Sequence, residues 1–131
     1  MDKHFKLRIK EGVEVDLTLN QAFSFRFAQF LEVEDATAHN ITAALVEKLQ
    51  SDSLNTIKYL ISAGIYGHEF VSNDNYVSRY KPSDIGRMLL EMEASESERL
   101  VNTVFKELGY DLKAKAETTE EVEEDDTEKK S

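Results

Sequence analysis

The residue pattern predicts one α+β domain, mostly α, with an N-terminal β-hairpin, about five helices and a disordered acidic C-terminal tail. Three observations carry this. Phe5, Leu7 and Ile9 alternate with Lys6, Arg8 and Lys10, and Val13, Val15, Leu17 and Leu19 alternate with Glu14, Asp16 and Thr18, the period of half-buried strands. From residue 20 onward, apolar residues recur at helical spacing. Beyond Leu112 they nearly vanish, and the block from Glu120 to Asp126 has too little apolar surface to offset the entropy of folding. The expected boundaries are a single domain over 1–112 (hairpin 4–19, helical body 20–112) and a disordered tail over 113–131.

In the hairpin, Lys10-Glu11-Gly12 reads as a three-residue loop with Gly at the position that needs positive φ. Pairing Ile9 with Val13 places Leu7 opposite Val15 and Phe5 opposite Leu17. The same register sets Arg8 against Glu14 and Lys6 against Asp16 on the other face. Asn20 is a good cap for a first helix to about Leu31, with Phe23, Phe27, Phe30 and Leu31 as its stripe. Phe25 falls off that stripe and is either a second buried face or an exposed anchor. The alternation of Phe23, Phe25 and Phe27 also permits a strand there.

A second helix is expected after Asp35, from Ala36 to about Gln50, with Ile41, Ala44, Leu45 and Leu49 inward. Ser51-Asp52-Ser53 breaks it. A third carries Leu54, Ile57, Leu60, Ile61 and Ile65, and is expected to stop near Gly64 or Gly67. From His68 to Ser83 the period is lost, and Ser72 to Asn75 has turn chemistry. Ser83 or Asp84 is the expected cap of a fourth helix bearing Ile85, Met88, Leu89 and Met92. Ser95 with Glu98 has capping-box spacing for a fifth, through Leu100, Val101, Val104, Phe105 and Leu108, ended by Gly109.

Composition removes several function classes. The chain has 131 residues and a formal net charge of −10, of which residues 116–131 contribute −6. That balance argues against general phosphate-backbone binding, so no nucleic-acid partner is expected. With no cysteine, disulfides, thiolate catalysis and cysteine-ligated zinc are out. No apolar run approaches a membrane span and the N-terminus lacks the apolar core of a signal peptide, so a cytoplasmic location and no membrane partner are expected.

Catalytic and metal motifs are weak. His4, His39 and His68 are far apart in sequence, and Ser72 stands where a zinc-protease motif beginning at His68-Glu69 needs its second histidine. Ser72-Asn73-Asp74-Asn75 lacks the first aspartate, sixth glycine and twelfth glutamate of a calcium loop. No nucleophile elbow or phosphate-binding glycine loop occurs, so no enzyme, cofactor or metal site is expected. The suggestive residues are aromatic: Tyr66, Phe70, Tyr76 and Tyr80 either pin a long loop to the helices or, with Phe25, form an anchor patch for a partner. Glu120, Glu121, Glu123, Glu124, Asp125 and Asp126 form an acidic block whose plain reading is a solvated charge run.

The order of elements, with FKLRIKEGVEVDLTLN, LISAGIYG and KPSDIGRMLLEM as its segments, resembles the tail assembly chaperones of long-tailed phages and prophages over roughly residues 3–112. The resemblance implies a non-catalytic protein of the host cytoplasm, absent from the finished tail. Such a protein coats and solubilises the helical tape measure protein and helps recruit tail tube subunits. It also implies possible self-association and a longer form made by ribosomal frameshifting, and Glu128-Lys129-Lys130 has a coding that contains a slippery heptamer. Two other classes stay open: a structural tail or head-completion subunit, and an acidic inhibitor that mimics nucleic acid.

Overall fold

The computed structural model describes residues 2–72 and 80–109. The tail residues Glu120, Glu121, Glu123, Glu124, Asp125 and Asp126 lie outside that range, as does Tyr76. Strands β1 (Lys3–Lys10) and β2 (Val13–Leu19) form an antiparallel hairpin, followed by helices α1 (Gln21–Phe30), α2 (Ala38–Ser51), α3 (Ser53–Ser72), α4 (Pro82–Glu91) and α5 (Ala94–Glu107). None of the described helices is long and apolar enough to cross a membrane.

The hairpin has the expected inner register: Phe5 pairs with Leu17, Lys6 with Asp16, Leu7 with Val15 and Arg8 with Glu14. Its end differs. Val13 pairs with Lys10, not Ile9, because a bulge falls between Arg8 and Lys10. The extra residue decouples the two side chains: Ile9 stays buried while Val13 is 39% exposed at the tip. Gly12 has φ 79°, the left-handed conformation the turn requires. Phe5, Leu7, Ile9, Val15, Leu17 and Leu19 all turn inward and join one core with Phe23, Phe27, Ile41, Leu45, Leu60, Ile61, Ile85, Leu100 and Val104. Each such side chain withdrawn from water is worth about 1.5–3 kcal/mol against leaving it exposed.

Asn20 caps α1 by accepting the Phe23 N–H at 2.9 Å, and Phe23 and Phe27 stack on the buried stripe, which settles the segment as helix. The helix ends in a Schellman turn: the Glu32 N–H donates to Gln29 O at 3.1 Å and the Val33 N–H to Ala28 O at 2.9 Å. The helix thus ends at Leu31, close to the expected boundary, although Glu32 takes φ 59° where glycine is the usual occupant. α2 starts two residues later than expected, because Thr37 is its cap and accepts the Asn40 N–H at 3.1 Å. Asp52 alone separates α2 from α3.

The largest correction concerns α3. It neither stops at Gly64 nor at Gly67 but runs to Ser72, so His68–Ser72 are helical rather than loop. The two glycines serve close approach instead. A Cβ on Gly64 would lie 2.9 Å from Leu17 Cβ, and one on Gly67 would lie 2.4 Å from the Thr18 carbonyl oxygen and 2.7 Å from Asn20 Oδ1. Asn20 uses its amide group twice, donating to Gly67 O at 3.2 Å while its oxygen caps α1. β2, the start of α1 and the middle of α3 are thereby locked together, and α3 goes on to pack against α1, α2, α4 and α5.

α4 begins at Pro82, with Lys81 as cap residue; Asp84, rather than being the cap, sits three positions on and accepts the Lys81 N–H at 2.8 Å. α5 begins at Ala94, so Ser95 lies inside its first turn and makes no cap. The neighbouring Glu96 has a different task. Its carboxylate, buried, accepts the Arg8 N–H at 2.7 Å and two bonds from Arg99 at 3.0 and 2.5 Å. Arg99 also donates to Lys6 O at 2.5 Å and lies 4.1 Å over the Phe5 ring. Backbone groups of β1 that an edge strand leaves open are thus filled by α5, which blunts the edge against pairing with another chain. Gly109 closes α5 with φ 87°, as expected.

Gly67→Ala, with no room beside the Thr18 carbonyl, will lose about 1–3 kcal/mol in denaturant unfolding. Gly86→Ala, in open space on α4, will gain about 0.5–1 kcal/mol. The Arg99 hydrogen bond holds the Glu96 carboxyl below its ordinary range; burial opposes this, and the Arg8 N–H adds to it. A depressed folded-state pKa gives stability that is present above the unfolded pKa near 4.5 and lost as pH falls through the folded one. Glu96→Gln will therefore cost about 2 kcal/mol at neutral pH, and urea titrations of the two proteins will converge as the medium is acidified.

Candidate functional site: an aromatic groove

α1 and α3 lie side by side, with Phe30 stacked on Tyr59 at 4.9 Å between ring centres and 9° between planes. One face of α3 beside its core stripe carries Asn55, Lys58, Tyr59, Ser62 and Tyr66, at steps of three, one, three and four residues. These line a groove of about 430 Å³ with Arg26 and Phe30 of α1, Ile65 of α3, and Tyr80, Pro82 and Ile85 at the start of α4. Tyr66 stacks on Phe70 one turn along α3 at 5.3 Å. Between the two aromatic pairs sits Arg26, its guanidinium carbon 5.2 Å from the Phe30 ring centre and 5.2 Å from that of Tyr66. A planar cation over ring faces is attracted by the ring quadrupole, worth about 0.5–1 kcal/mol at exposed sites. The row Tyr59–Phe30–Arg26–Tyr66–Phe70 is therefore a built wall, held from two helices.

Of the expected anchor residues, the structure brings Tyr66, Phe70 and Tyr80 to this wall or its lining. Phe70 is 44% exposed, and Tyr80 is half-buried against the core cluster. Tyr66 and Phe70 reach it from a helix, not from a loop. Phe25 does not belong to it: it is 62% exposed and is absent from the lining, resolving its two readings in favour of exposure. Reading the residues in order missed Phe30, Tyr59, Arg26 and Lys58. In the sequence Phe30 reads as part of the core stripe of α1, and the face through Tyr59, Ser62 and Tyr66 is visible only when α3 continues past Gly64.

A larger cleft of about 840 Å³ lies between the hairpin tip and the α4–α5 junction. It is lined by Arg8 and Lys10 among Glu11, Glu14, Glu91, Glu93 and Glu96, and its charges are largely used internally: Lys10 pairs with Glu91 at 3.1 Å, and Glu96 holds β1. Its lining is mostly polar and charged, which makes it the weaker candidate for a docking surface despite its size.

On the polar face of the hairpin, two of the three distant histidines meet. His4 and His68 stack at 5.5 Å; His4 Nε2 lies 3.0 Å from Asp16 Oδ1, and His68 Nδ1 lies 3.0 Å from Thr18 Oγ1. Burial pushes the Asp16 carboxyl up, but the His4 hydrogen bond and the charges of Lys6, His4 and His68 outweigh it, leaving it below the ordinary range. Among the described residues no group of three His, Cys, Asp or Glu side chains is placed to hold a metal ion. What the groove offers is apolar, aromatic and locally cationic. No family model, curated protein or solved structure matches this chain.

Proposed function

We propose that this chain is a non-catalytic binding protein whose aromatic groove receives an amphipathic helical segment. The observation that carries this is the wall from Tyr59 to Phe70, an apolar trough between two helices with aromatic and arginine side chains already packed in place. Helix-in-groove recognition uses such troughs, and Tyr and Arg are the residue types that dominate interface energies. Pre-stacked rings lose little rotamer freedom on binding, which lowers the entropic cost of association.

Together with the resemblance in element order, the groove supports a tail assembly chaperone that coats and solubilises the tape measure protein and helps recruit tail tube subunits in the host cytoplasm. A tape measure protein is long and helical, so its exposed apolar stripes need covering before assembly. The acidic block at Glu120–Asp126 supplies net charge that keeps such a coated complex dispersed. Fixed carboxylates on a folded surface, which a nucleic-acid mimic needs, are here interleaved with Arg8 and Lys10 at the hairpin tip.

Ser62→Trp tests the groove by filling it. Co-expressed with a tape measure segment from the same genome, the unaltered chain will hold that segment in the soluble fraction. The variant will lose at least about ten-fold in affinity, or 1.4 kcal/mol, with its melting temperature within about 4 °C of the parent, the shift expected from less than 1 kcal/mol. Undiminished binding by a folded variant would remove the groove from the interface.

A further inference from the structure

The groove is cationic in a chain that is not. Among the described residues its lining holds Arg26 and Lys58 and no carboxylate, whereas the chain as a whole carries −10. Neither Arg26 nor Lys58 has an ion-pair partner among the described residues. The Arg26 guanidinium carbon lies 5.2 Å from the ring centres of both Phe30 and Tyr66, with one N–H to Gln29 Oε1 at 3.3 Å. An arginine confined between two rings, with one N–H in use, keeps further N–H groups for a carboxylate, and part of its rotamer entropy has already been spent. Lys58, Ser62 and Tyr66 follow one another at steps of four along α3, so the second cation continues the same row.

Resting on the groove reading above, we propose that the occupant is a partner helix with an apolar stripe flanked by carboxylates, and that Arg26 and Lys58 select it by charge. From Tyr59 to Tyr66 the row spans about 10 Å at the helical rise, so the partner presents about two turns, with apolar residues at i, i+3, i+4 and i+7 and Glu or Asp beside them. The carboxylates meet Arg26 and Lys58 at the rim while the stripe lies against Phe30, Tyr59 and Tyr66. This selection runs against the bulk electrostatics, because a −10 protein repels acidic and attracts basic ligands in general. The local and the global terms therefore predict opposite preferences.

The test uses the full chain and two synthetic amphipathic helical peptides with the same leucine stripe and one tryptophan, one flanked by Glu and its twin by Lys. The chain has no tryptophan, so fluorescence reports the peptide alone. At about 0.15 M salt, where charges beyond about 8 Å are screened, the Glu peptide will bind about ten-fold tighter than its twin, as charge-assisted contacts require. Arg26→Gln with Lys58→Gln will erase the preference, and Arg26→Glu with Lys58→Glu will reverse it. Equal binding of both peptides, or tighter binding of the Lys peptide, overturns the charge selection while leaving the groove as a binding site. If neither peptide binds, the groove reading fails as well. A ten-fold gain on deleting residues 113–131 would make the chain's own acidic tail the occupant and overturn the proposal. So would a dimer in light scattering that dissociates on Arg26→Glu, which would make it a second copy.

Discussion

Between Gly67 and the Thr18 carbonyl there is no space for a methyl group, and the whole arrangement depends on that contact. A two-stranded hairpin is marginal alone, since its apolar face has to be covered. α3 covers it at backbone distance because Gly64 and Gly67 leave the approach open over Leu17 and Thr18, and Asn20 fixes the third element by bonding both Gly67 O and the Phe23 N–H. With α3 held there, α1 lies beside it, and Phe30 meets Tyr59. The groove is a consequence of how closely helix and hairpin pack.

On the opposite side, α5 does for β1 what α3 does for β2. A buried glutamate would raise the energy of the fold if it stood alone. Glu96 is instead surrounded by donors, the Arg8 N–H and two nitrogens of Arg99, and Arg99 in turn reaches the Lys6 carbonyl and the Phe5 ring. The hairpin is thus gripped along one strand by backbone contact and along the other by a charged clamp. Its polar face stays outside, with the stacked pair His4 and His68.

How legible this was depended on whether a residue's meaning was local. The hairpin register followed from alternation, because a one-residue slip would turn every apolar side chain outward. The caps at Asn20 and Gly109 followed from local hydrogen-bond chemistry. Gly64 and Gly67 misled for a physical reason: glycine marks both helix ends and close approaches, and only the partner surface, here β2, distinguishes the two. Ser95 and Asp84 misled because spacing allows several caps and tertiary contacts choose among them; Glu96 reaches for β1 across a separation that no local pattern encodes. The site inherited the first error. With α3 cut short, Tyr66 and Phe70 belonged to a loop, and the face they share with Tyr59 and Ser62 was hidden. Arg26 between Phe30 and Tyr66 joins residues of two helices, a contact that periodicity does not contain.

The groove wall needs α3 to be continuous through both glycines, so that Tyr66 and Phe70 extend the helical face that carries Tyr59 and Ser62. Native-state hydrogen exchange of the full chain tests it most directly. Amides from Ile61 through Phe70 will be protected as one cooperative block, with free energies close to those of β2. Amides beyond Gly67 that exchange at the rate of an open loop, while Ile61 to Gly64 stay protected, would contradict it and dissolve the wall formed by Tyr66 and Phe70.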